Sequence, residues 1–144
     1  MQRPCDIKLF HFYGVIREKD DKIYGYMAVA ALHNHDYAGA VDAYGMIDEL
    51  DDDMRNNYMK ANFLRAVQLI KYGSYRKAIP CLKAAAYYSE RSSRFNQLSR
   101  FWLAESYFRN DQYSEARKIF TELYNIIDSA YKTSDQDVHL FSED

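Results

Sequence analysis

The chain has 144 residues, room for about one domain, and is 48% hydrophobic and 16% aromatic with only 5 Gly and 2 Pro. So many apolar side chains argue against disorder, so few turn-formers against a β sandwich or barrel, and the lack of a long apolar run against a membrane-spanning helix. The net charge of −2 conceals a segregation: residues 1–54 carry 5 Lys/Arg and 11 Asp/Glu, residues 55–118 carry 13 and 4, and residues 119–144 carry 1 and 6.

Met1 to Cys5 contain no apolar signal-peptide core, which favours the cytoplasm. Cys5 and Cys81 form no CxxC motif, and two thiols are too few for a disulfide scaffold of this length. Ile7, Phe10, Tyr13 and Ile16, spaced by three, predict an amphipathic helix over 6–18.

From residue 21 onwards the chain repeats itself. Shifting it by 38 residues aligns Ala28, Ala66 and Ala104, then Tyr37, Tyr75 and Tyr113, then Ala40, Ala78 and Ala116. Leu32, Ile70 and Phe108 stay apolar in register, as do Tyr44, Leu82 and Phe120, and His35, Gly73 and Asp111 share a turn slot. Within each copy the apolar residues recur at three and four, which is the period of a helix. The expectation is three helical hairpins over about 21–50, 54–90 and 94–130, in repeats 21–54, 55–92 and 93–130 of a single domain spanning 1–144.

Local signals place the breaks. Asn34-His35-Asp36, Gly73-Ser74 and Asn110-Asp111 separate first from second helices, with Asp36 and Ser74 as candidate caps. Asp51-Asp52-Asp53 belongs at the start of a helix rather than the end of one. The repeated alanines would let antiparallel helices approach closely, and the tyrosines that open the second helices would wedge between hairpins. Residues 132–144 read as a short cap or a fourth repeat cut short, with Val138, Phe141 and Ser142 in register. Such thin caps lead one to expect a piece of a longer repeat protein, or a dimer.

At these positions the chain resembles the tetratricopeptide repeat family. Leu103-Ala104, Tyr107, Tyr113, Ala116 and Phe120 follow that family's pattern best, with Ala66, Gly73, Tyr75, Ala78 and Leu82 next. The period of 38 exceeds the family's 34, and its signature Trp and closing Pro are missing: Tyr24, Asn62 and Arg100 stand in the first slot and Asp52, Glu90 and Asp128 in the second. The resemblance implies an all-α solenoid, a superhelix whose first helices line a concave groove. The groove would carry Leu32, Lys60, Phe63, Val67, Ile70, Lys71, Phe101, Glu105, Phe108 and Arg109. Apolar and edged with cations, it suits a peptide or protein segment bearing some negative charge. The same side chains suit packed core equally well.

No phosphate loop, nucleophile elbow, metal-ligand spacing or carboxylate pair appears, so neither an enzyme nor a cofactor is expected. His33, His35 and Asp36 read as a polar turn. A rival signal is the basic block, in which Arg65, Lys71, Arg76, Lys77, Lys83, Arg91, Arg94, Arg100 and Arg109 lie among Tyr87, Tyr88, Phe95 and Phe101. It would suit an acidic protein, a second copy of the chain or, less well given acidic flanks that repel phosphate, a nucleic acid. The resulting expectation is a non-catalytic protein-interaction module, with a nucleic-acid-binding regulatory segment or a structural spacer as alternatives.

Overall fold

The slot that recurs every 38 residues is where the backbone turns left-handed. The computed structural model describes residues 20–140, with side chains to residue 134. Three of these residues adopt positive φ: His35 at 57°, Gly73 at 72° and Asp111 at 59°. Each closes the same motif. The amide of the left-handed residue reaches back three positions, to Leu32, Ile70 or Phe108 (3.1, 2.9 and 3.2 Å). The next amide reaches back five, to Ala31, Leu69 or Tyr107 (2.9, 2.8 and 2.9 Å). These are Schellman closures, which satisfy the orphan carbonyls of the helix just ended. Each following helix opens on its tyrosine, and its first bond runs from Ala40, Ala78 or Ala116 to the residue before that tyrosine (3.0, 3.1 and 3.1 Å).

All the regular structure among the described residues is helical: α1 (20–33), α2 (Tyr37–Gly45), α3 (Asp52–Lys71), α4 (Tyr75–Tyr88), α5 (Arg94–Arg109) and α6 (Tyr113–Leu140). Asp36 caps α2 by accepting from Gly39 N at 2.9 Å, Asp51 caps α3 by accepting from Met54 N at 2.8 Å, and Ser93 caps α5 by accepting from Asn96 N at 3.1 Å. Ser74 occupies the cap position of α4, but its side chain makes no capping bond. Pro80 sits inside α4 on an exposed position, where its ring removes one intrahelical bond without ending the helix.

Two boundaries differ from the expectation. α2 ends at Gly45, a poor helix former, and Ile47 turns inward to join the core, so residues 46–50 are not helical. α6 runs through residue 130, where a break was expected, as a single helix to Leu140. Ser129 and Thr133 donate to the carbonyls of Asn125 and Ser129 (2.8 and 2.9 Å), and Lys132 pairs with Asp128 at 2.8 Å. Nothing between Ile126 and Gln136 stops a helix, because the stretch has neither Gly nor Pro. The helix expected over 6–18 and the register positions Val138, Phe141 and Ser142 lie outside the described residues or side chains.

The chain divides into one compact unit ending at Arg65 and another beginning at Ala66. In the first, Ala28, Ala43, Tyr44 and Ile47 form a buried cluster against which Tyr24, Leu32, Leu50, Met54 and Tyr58 pack. The Tyr44 and Tyr58 rings stand 6.0 Å apart. Tyr44 is 1% exposed, and its hydroxyl has no partner in hydrogen-bond geometry. Burial pushes the phenol pKa up against the opposing pull of the nearby Asn57 amide, and Asp51 adds to the rise. In the second unit α5 packs on both α4 and α6. The alanines at the repeated columns are buried throughout: Ala28, Ala40, Ala66, Ala78 and Ala104 at 0% and Ala116 at 2%.

Two measurements test this packing. Ala104→Leu should cost about 1–3 kcal/mol in a urea titration, as overpacking does, while Ala130→Leu on an exposed position should stay within about 0.5 kcal/mol. Tyr44→Phe removes an unmatched buried hydroxyl, so it should be neutral or stabilising by up to about 1 kcal/mol at neutral pH. A phenol whose folded pKa is raised contributes stability that is complete below its unfolded value of about 10 and is lost as pH climbs through the raised value. Alkaline unfolding of Tyr44→Phe should therefore begin at higher pH than that of the parent.

Candidate functional site

α5 turns Phe101 and Phe108 outward and buries Tyr107. Its buried positions hold Asn96, Ser99, Leu103, Ala104, Ser106 and Tyr107, so two of its neighbours meet it largely over small residues. Leu98, Phe101 and Phe108, spaced by three and seven, form a stripe that is 44–50% exposed. Phe101 packs edge-on against Trp102 at 5.6 Å and against Phe120 of α6 at 5.9 Å, and Phe108 against Tyr113 at 5.3 Å. Glu105 lies on the same stripe and accepts from Arg109 Nε at 2.8 Å, which raises the guanidinium pKa further. Tyr113 does not wedge between elements. It is 56% exposed, and its hydroxyl donates to Asp111 Oδ1 at 2.8 Å, which raises the phenol pKa. The Tyr37 hydroxyl meets His35 Nδ1 in the same way, at 3.2 Å.

The ten groove candidates divide between the two units. Phe101, Glu105, Phe108 and Arg109 share one surface of α5, and Val67 (45% exposed), half-buried Ile70 and exposed Lys71 also belong to the second unit. Leu32, Lys60 and Phe63 belong to the first. There Leu32 packs against the Ala28 cluster as core, whereas Lys60 is exposed and Phe63 half-buried.

The basic block, whose cations helical register alone would scatter, partly converges. Lys83 of α4, Arg91 of the following loop and Arg100 of α5 meet Lys118 of α6 around a cleft of about 560 Å³. Arg100 pairs through Nη2 with Glu122 across the α5–α6 contact, with its side chain only 11% exposed. The Lys83 ammonium stands 5.8 Å from the centroid of the Tyr107 ring. This cleft escapes a reading of single helices because three of them build it. Its legible trace is the pair Asn96 and Arg100, polar residues one turn apart on the face that carries Leu103 and Tyr107.

Among the described residues no group of three or more His, Cys, Asp or Glu side chains is placed to hold a metal ion, and no helix is long and apolar enough to cross a membrane. No protein-family model, curated protein or solved structure matches the chain.

The two ion pairs of α5 differ in burial and should differ in worth. Glu122→Gln leaves a largely buried guanidinium without its carboxylate and should cost about 1–3 kcal/mol in chemical denaturation. Glu105→Gln breaks an exposed pair one turn long and should cost less than about 0.5 kcal/mol.

Proposed function

We propose that the chain is a non-catalytic protein-interaction module of tetratricopeptide-like architecture, its helical hairpins stacked as a solenoid, that binds a protein or peptide segment along the first-helix surface. The observation that carries this reading is the exposed stripe of Leu98, Phe101 and Phe108 on α5. Three large apolar residues in a row at helical spacing, held by ring contacts yet open to solvent, are uncommon on a surface that serves only solubility. Aromatic residues of this kind are the usual anchors of protein interfaces, and a neighbouring Arg109 adds a charged rim. The turns and alanines repeated at 38-residue intervals support the solenoid, since a lone hairpin cannot bury its apolar face whereas stacked ones can.

The double variant Phe101→Ala/Phe108→Ala tests this reading. Both side chains are half exposed, so helical content and melting midpoint should stay close to the parent's. Capture of the proteins that the parent retains should fall about tenfold or more. That capture should also survive high salt, where binding to a nucleic-acid backbone would fall steeply. Equal capture by the folded variant would refute the reading.

A further inference from the structure

The 38-residue register assigns a covering partner to two surfaces that are open in the single chain. On α5, Asn96, Ser99, Leu103 and Ser106 recur at three, four and three, and form one stripe that is at most 7% exposed. The stripe lies toward α4: the Asn96 amide donates to the Ala86 carbonyl at 2.8 Å and to the Ser89 hydroxyl at 2.9 Å, and Leu103 walls the same cleft as Ala86. One period earlier, on α3, the same positions hold Tyr58, Ala61, Arg65 and Gln68, with Ala61 at 0% and the others half-buried. Two periods earlier, on α1, they hold Asp20, Ile23, Met27 and Ala30, and all four are exposed, Ile23 at 55% and Met27 at 53%. Tyr26 widens this patch, at 70%. A different side of α1, with Tyr24, Ala28 and Leu32, supplies the core.

The last helix shows the converse surface. At the end of α4, Ala86 and Ser89, which receive the Asn96 bonds, are half-buried. Their counterparts one period on are Tyr124 and Ile127 of α6, 68% and 60% exposed, and Tyr131 continues the row at 67%. The face that α5 turns to α4 is thus uncovered on α1, and the face that α4 turns to α5 is uncovered on α6. Stacked repeats need polar outer faces at their ends, whereas both of these carry rows of large apolar side chains. Those side chains are bulkier than Ser99 and Ala86, which sets a wider axis separation than within the chain. Charge does not oppose the contact. Arg117, Lys118 and Lys132 outnumber Glu122 and Asp128 on this stretch of α6, and Asp20 and Asp21 outnumber Lys22 on α1.

We propose that the chain self-associates head to tail, with α6 of one copy packed on α1 of a second copy. Tyr124, Ile127 and Tyr131 meet Ile23, Tyr26 and Met27, as α4 meets α5 within one chain. The two surfaces differ, so the contact is heterologous and each copy offers one of each. The inference rests on the stacked-hairpin architecture proposed above but uses none of the aromatic stripe on α5.

Sedimentation equilibrium of the full chain should show a mass that rises with concentration between about 10 μM and 1 mM, as for a small interface. Met27→Asp and Ile127→Asp alter one exposed side chain at each surface. Both should keep the parent's helical content, and each alone should weaken self-association at least about tenfold. Tyr26→Asp and Tyr124→Asp, at still more exposed positions, repeat the pair if either of the first two fails to fold. An equimolar mixture of the Met27 and Ile127 variants retains one intact α6 surface and one intact α1 surface, and should form 1:1 dimers where each variant alone is monomeric. Phe101→Ala/Phe108→Ala should associate as the parent does, within about twofold, so loss of partner capture and loss of self-association are separate results. Four results would overturn the proposal: a parent that stays monomeric at about 1 mM, as when residues 6–18 of the same copy cover α1; full association by either folded single variant; a variant mixture that stays monomeric; or association lost in the Phe101 and Phe108 variant.

Discussion

Close approach between helices, possible only where a side chain stops at Cβ, governs the rest of this structure. All six alanines at the 38-residue columns are at most 2% exposed, although they lie on six different helices. A larger residue there would hold the helix axes apart, and the contacts that flank the crossing would be lost with it. On α5 the constraint is doubled, because α4 and α6 both pack against this helix. Most of its buried positions are accordingly small, with Ser99 and Ser106 beside Ala104, and Phe101 and Phe108 stand on the open side. The exposed stripe is thus a consequence of the packing as well as a feature of the surface.

The turns show how chain reversal tolerates different residues at one slot. A left-handed backbone costs an ordinary L-residue about 1–2 kcal/mol, which Gly73 avoids by lacking a Cβ. His35 and Asp111 bear that cost, and in both the turn side chain meets the hydroxyl of the tyrosine two residues on. A side chain at the turn and the tyrosine that opens the next helix therefore work as a pair. This accounts for two of the three repeated tyrosines without any role between hairpins.

Features set by local chemistry were legible in the sequence. The turn slots, the cap at Asp36 and the buried alanines follow from residue type at a known helical spacing, whereas the cap bond expected of Ser74 does not form and spacing alone left the α5 aromatics equally suited to core and surface. The extents of α2 and α6 did not follow, because the repeat period was extended past what the local residues supported. Gly45 stops α2 before the period would, and the polar stretch after residue 130 contains nothing that stops α6. The cleft was hidden for a different reason. Asn96, Lys83 and Lys118 are unremarkable each on its own helix, and only the packing of three helices makes them neighbours.

The same packing changes what the charge segregation means. Read along the chain, a strongly basic middle between acidic ends suits an acidic protein or a second copy of the chain, and less well a nucleic acid, whose phosphates the ends would repel. In the folded second unit one acidic residue of the C-terminal segment, Glu122, already neutralises Arg100 inside the α5–α6 contact. A buried pair of that kind adds little net stability against its desolvation cost, but it fixes the orientation of the guanidinium. Fixing Arg100 through Nη2 leaves its Nη1 buried without a hydrogen-bond partner, as is Asn96 Oδ1 one turn earlier on the helix. A positive field spread over a surface would attract any polyanion. A cleft that sets Lys83, Arg91 and Lys118 around Leu103 and Ile119 discriminates by shape as well, with charge setting the sign of what approaches.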